Sequence, residues 1–226
     1  MKPFIALQSL MYICFLILDL TGKAIAVSNH LKLATIALCF SFAIVQMTRL
    51  KHKVALIQAL ILLFTFVSDY FLLMTDAFSI GITTFIIVQI GYGSLLKLAK
   101  SEGVNYKAIF IVTIVLILTV FLMVTNQTEG LSLLYAILFI RNLARAYNYK
   151  NHGDYSKWLF IGLSLYAVCD VQVALFNLES IKQLFPSIYV IASMGMWAFY
   201  LPGQVILTLS PCFYKEISQL DVDNQL

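Results

Sequence analysis

Continuously apolar runs, each close to the length that crosses a bilayer, recur from one end of this 226-residue chain to the other. About 20 residues of α-helix cover the ~30 Å hydrocarbon core, so every such run reads as a transmembrane helix. Eight are present, at 4–21, 32–48, 54–74, 78–97, 108–125, 130–146, 157–177 and 186–209. The sixth is the least apolar, because Arg141, Asn142 and Arg145 crowd its end. None alternates apolar and polar residues over about ten positions, as the strands of a membrane barrel would. Composition agrees: 61% of residues are hydrophobic and 12% charged, too little polar surface to coat a globule in water. The expected fold is therefore all-α, a polytopic bundle of about eight helices forming one domain over 1–210. A polar tail follows at 211–226. The first run has only Lys2 ahead of it and no small-x-small cleavage site, so it reads as a helix rather than a signal peptide.

Charge placement orients such a bundle. With eight spans, one face receives Lys2, Arg49, Lys51, Lys53, Lys97, Lys100, Lys107, Arg141, Arg145, Lys150, Lys157 and Lys215. The opposite face receives only Lys23, Lys32 and Lys182. Twelve against three is a positive-inside pattern that puts both termini in the cytoplasm, and in a bacterium the membrane would be the cell membrane. The net charge of +4 is then topogenic, and no nucleic-acid partner is expected. Cys14, Cys39, Cys169 and Cys212 form no CxxC pair and read as small apolar residues. His30, His52 and His152 are too scattered for a metal site, and no metal or other cofactor is expected.

Two acids stand inside these apolar runs. Asp69 interrupts LIQALILLFTFVSDYFLLM and Asp170 interrupts WLFIGLSLYAVCDVQVALF. A carboxylate at the centre of a membrane helix costs roughly 2.5–3.5 kcal/mol on insertion scales, so it faces the protein interior or a polar cavity. Asp69 lies fifteen residues into its span and Asp170 thirteen, on runs that cross in the same direction. At the helical rise, both sit roughly 20 Å from the cytoplasmic face. The following spans carry related polar pairs: Gln89 with Tyr92, and Tyr200 with Gln204. The repeated plan hints at a parallel four-plus-four duplication.

Plainer readings exist for each residue. Gln89, Tyr92 and Tyr200 could serve only to hydrogen-bond neighbouring helices. Asp19, near the outer end of the first span, could cap or snorkel, and Asp76 belongs to a loop. Asp69 and Asp170 could be structural ion-pair partners of Lys32 or Arg141. The spacing of Gly91 and Leu95 is too loose to carry packing information.

Three blocks carry a resemblance. SDYFLLMTDAFSIGITTFIIVQIGY, GLSLYAVCDVQVALFN and FYLPGQ, in this order along the chain, resemble the YhhN-like family, which contains the lysoplasmalogenases. In that family an Asp precedes a Phe, a Gly and a His or Gln with Tyr three residues on. A Gly-x6–7-Asp segment and a Tyr-containing stretch ending in Gln follow. The chain departs from the pattern at Cys169, where Ser is usual, at Leu33 after Lys32, where Pro is commoner, and at Pro202 and Gly203.

The resemblance implies a membrane-embedded hydrolase acting on a single-chain ether phospholipid, with membrane lipids around it. Protonation of a vinyl ether carbon gives an oxocarbenium-like cation; water adds, and the hemiacetal collapses to a fatty aldehyde and a glycerophospho-headgroup. One protonated and one ionised carboxyl would supply the proton and the compensating charge. Asp69 and Asp170 are the implied acid/base pair. Gln89, Tyr92, Tyr200 and Gln204 would hold water or substrate oxygens, and Lys32, at the outer end of its helix, would meet a phosphate or anchor at the interface. Gln204 fits least well, because it falls near the cytoplasmic end of its span, roughly 20 Å from the depth of the aspartates. The sequence has no GxSxG, HExxH or Gly-rich phosphate loop. The rival class is a proton- or cation-coupled transporter or lipid-binding protein using the same aspartates.

Overall fold

A computed structural model describes residues 1–22, 24–98 and 127–214. Among them the regular structure is entirely helical: α1 (Lys2–Thr21), α2 (Ile25–Leu50), α3 (Lys53–Met74), α4 (Phe78–Leu98), α5 (Gln127–Tyr149), α6 (Asp154–Asn177), a short α7 (Glu179–Leu184), α8 (Pro186–Leu209) and a closing 3₁₀ turn (Ser210–Phe213). Seven of the eight apolar runs thus become long helices. The fifth, 108–125, lies outside the described residues, as do Lys23, Lys100, Lys107, Lys215 and the rest of the expected tail beyond 214. Six of the long helices are apolar enough to cross a membrane. α5 is the exception, since it carries Glu129, Arg141 and Arg145.

Local chemistry fixes the helix ends. Gly22 takes a left-handed φ of 63° and its N–H returns to Asp19, a glycine stop for α1. The His52 ring accepts a hydrogen bond from the Ala55 N–H at 3.0 Å and caps α3. α2 begins at Ile25, seven residues before the apolar run at 32–48, because a helix needs polar-tolerant backbone pairing rather than continuous hydrophobicity. Lys32 is consequently two turns inside α2 and not at its outer end.

Except at α4 and α5, successive long helices run in opposite directions. The Tyr214 ring lies 5.1 Å from His52 and 5.3 Å from Tyr155, which gathers the α2–α3 turn, the start of α6 and the end of α8 at one end of the bundle. Arg49, Lys51, Lys53 and Lys157 belong to this same, basic end. Ser210 and Pro211 are buried there, and the chain becomes exposed at Cys212 and Phe213. α4 and α5 run parallel: Ser79 meets Thr128 at 3.2 Å, and Asn142 donates to the Gln89 carbonyl at 2.7 Å.

α3 packs most extensively on α4, and α6 on α8. Small residues allow it. A Cβ on Gly91 would come within 2.5 Å of Ile61, and one on Gly203 within 3.2 Å of the Gly162 carbonyl. Glycine therefore does carry packing information here, contrary to the expectation from spacing. Within α8, Pro202 lacks the N–H that would bond the Ala198 carbonyl, and the Tyr12 hydroxyl of α1 occupies that carbonyl instead at 2.9 Å.

Candidate functional site

Asp69 sits on the face of α3 that also carries Gln58, Leu62 and Thr65, residues spaced by three and four and all buried. The side chain is 4% exposed, and Oδ2 accepts a hydrogen bond from the Tyr200 hydroxyl at 2.7 Å. On α6, Asp170 Oδ2 accepts from the Tyr135 hydroxyl at 2.6 Å. Each acid is therefore held by one neutral tyrosine from another helix. Among the described residues neither has an ion-pair partner, so the structural pairing with Lys32 or Arg141 does not occur. Arg141 is exposed.

A tyrosine seam connects the two acids. Tyr166, one turn before Asp170 on α6, is fully buried and packs its ring 5.4 Å from that of Tyr200. Phe139 stacks on Tyr135 at 6.0 Å and lies 5.2 Å from Tyr166, while Phe85 touches both tyrosines from α4. The Tyr166 hydroxyl stands against that of Tyr135 without a well-formed hydrogen bond, and lies within electrostatic range of Tyr200 and Asp170. Cys169, buried beside Asp170, is within such range of both aspartates. The parallel spans α3 and α6 thus deliver their carboxyls to one aromatic seam, joined through tyrosines rather than directly.

Other sequence-predicted residues divide. Lys32 is buried and ion-paired with Asp19 at 2.8 Å, while Ser28 donates to the same carboxylate at 2.5 Å. Its ammonium lies 5.3 Å from the Trp197 ring, which in turn packs 5.0 Å from Tyr200. Lys32 therefore borders the seam through Trp197, with its charge neutralised by an acid that sequence reasoning had assigned to a cap. Gln89 is buried against Asn142, whose amide donates to its side-chain oxygen at 3.1 Å, one helical turn from Phe85. Tyr92 and Gln204 are buried; the Tyr92 hydroxyl stands against Gln58 without a well-formed hydrogen bond, and the Gln204 amide has no partner. Gln204 is one turn from Tyr200 on α8, so it stands only about 6 Å along the axis from the residue that holds Asp69. The larger separation expected from counting residues to the span end is corrected by that contact.

Tyr135, Tyr166, Trp197 and Asn142 were not picked out as site residues by sequence, and Asp19 was read only as a cap or a snorkelling acid. For Asp19 a signal existed: Lys32 follows thirteen residues later across one tight turn, on the adjoining helix. For the tyrosines there was none, since an aromatic ring in an apolar run looks like packing. Chemically the seam offers two carboxyls and neutral phenols, groups able to donate, accept and relay protons without a fixed cation.

The sequence pattern of the YhhN family matches residues 9–211 of the chain. Comparison with curated proteins and with solved structures gives no match.

Proposed function

Since the chain belongs to the YhhN family and is an integral membrane bundle, we propose that it hydrolyses the vinyl ether bond of a lysoplasmalogen, using Asp69 and Asp170 as acid and base. The observation that carries this reading is the pair of acids, each bonded to a tyrosine and joined through one aromatic seam. One carboxyl gives its proton to the vinyl carbon remote from oxygen. The resulting oxocarbenium-like cation is stabilised by the second, ionised carboxyl and captured by water, whose proton that carboxylate accepts. Collapse of the hemiacetal breaks the carbon–oxygen bond to the glycerol, giving fatty aldehyde and glycerophospho-headgroup. Tyr200 and Tyr135 orient the carboxyls. The concentration of basic residues at one end of the bundle supports a cytoplasmic location for both termini.

Purified protein in detergent should release aldehyde from a lysoplasmalogen. Asp69→Asn and Asp170→Asn should each abolish release while leaving the thermal unfolding midpoint within a few degrees. Undiminished turnover in both variants would refute the acid/base assignment. Coupled uptake of protons or cations into proteoliposomes, without ether hydrolysis, would replace it with transport.

A further inference from the structure

A second set of polar groups lies between Asp69 and the basic end. Gln46 on α2, Gln58 on α3, Tyr92 on α4, Tyr155 on α6 and Gln204 on α8 are all at least 96% buried, and each has side-chain polar atoms without a hydrogen-bond partner. Both ends of all three glutamine amides are unmatched. They come from five helices, and a chain of neighbours runs among them. Tyr155, whose ring meets Tyr214 at the basic end, is within electrostatic range of Tyr92. Tyr92 lies beside Gln58 and within range of Cys39. Cys39 neighbours Thr208 and reaches Asp69, and the Thr208 hydroxyl bonds the Gln204 carbonyl at 2.7 Å. Helical phase agrees: Gln58 shares a face with Asp69 three turns away, Gln46 with Cys39, and Gln204 with Tyr200.

Buried amides and hydroxyls are costly unless something bonds them, and buried water is the usual partner where protein supplies none. The column contains no carboxylate, ammonium or guanidinium, which disfavours a phosphate or a metal ion and suits a neutral ligand that both donates and accepts. We infer that these five side chains bind water, forming a hydrated column that leads from the basic end of the bundle to Asp69. It rests on the hydrolase reading for its purpose: the co-substrate reaches the acid from the end opposite to Lys32, separately from the lipid. Gln204 and Tyr92 then serve water rather than lipid oxygens.

Two measurements test the column without reference to activity. Hydroxyl-radical footprinting of the unaltered protein in detergent should oxidise buried Tyr92 and Tyr155 at rates close to that of exposed Tyr147. Rates as low as that of Phe15, equally buried and apolar, would overturn the proposal. In a background with all four cysteines replaced by serine or alanine, single cysteines Gln58→Cys and Gln204→Cys should react with a small water-soluble methanethiosulfonate roughly tenfold faster than the equally buried Phe15→Cys or Ala146→Cys, because thiol reactivity follows aqueous access. Equal, slow rates would again refute it. A third measurement identifies the ligand: with lysoplasmalogen, Gln58→Leu should lower kcat roughly tenfold and leave KM unchanged. A raised KM with normal kcat would make the column a headgroup pocket and overturn the assignment to water. Fast labelling in a protein that releases no aldehyde would refute the hydrolase reading and leave the column standing.

Discussion

At the residue scale, the molecule spends its few polar side chains in pairs. The hydrogen bond from Tyr200 to Asp69 is buried, and one to a charged or polarised acceptor contributes about 1.5–3 kcal/mol. Tyr200→Phe should therefore slow aldehyde release by roughly 10–100-fold at a small cost in melting temperature, and Tyr135→Phe should act alike through Asp170. Wild-type kcat in both would show that the phenols are only packing. The Lys32–Asp19 pair makes a different prediction. Its acid side chain keeps 23% exposure, so breaking the pair with Lys32→Met should cost less than the about 3–5 kcal/mol of a fully buried one. The double variant Lys32→Met/Asp19→Leu should recover most of that loss in a denaturation cycle, because no uncompensated charge remains. Strict additivity would exclude the pairing. Asp69 and Asp170 were legible in sequence because a charge inside an apolar run is conspicuous. Tyr135 and Tyr166 were not, because a phenol announces its hydroxyl only once a partner from another helix stands opposite it.

Between residues and bundle stand the helices, and their positions were the most readable feature of all. The bilayer imposes a length, and seven long helices coincide with seven of the runs. Their ends were less readable. α2 extends two turns beyond its run, and that extension carries Ser28 and brings Lys32 over Asp19. How helices touch was hidden too, since a glycine fixes a crossing only through what faces it. The α6–α8 crossing sets Gly162 against Gly203, backbone against backbone. Gly203→Val would force those helices apart. Overpacking of this kind costs roughly 1–3 kcal/mol, and a clearly lower melting temperature in detergent should follow. It should also lower turnover, because α6 and α8 carry Tyr166 and Tyr200. A normal melting temperature would mean that the crossing is looser than described.

Over the whole molecule, the alternating helices collect Arg49, Lys51, Lys53 and Lys157 at the end where His52, Tyr155 and Tyr214 meet. Reporter fusions after residue 1 and after residue 226 should both register the cytoplasm, and a tag at Asp76 or Phe185 the opposite side. A split result would reverse the orientation. Charge asymmetry made this face legible; the proposed route of water through it was not, because it depends on five side chains from five different helices. Pro202 adds a constraint on how such a bundle comes into being. The carbonyl that it frees at Ala198 is taken by Tyr12, a bond spanning 186 positions from the first helix to the last. The ribosome delivers α1 to the membrane long before α8 exists, so throughout synthesis that phenol waits for a partner not yet made. The contact between α1 and α8 can therefore close only after α8 has been made, and a chain truncated ahead of α8 leaves the Tyr12 hydroxyl without this partner.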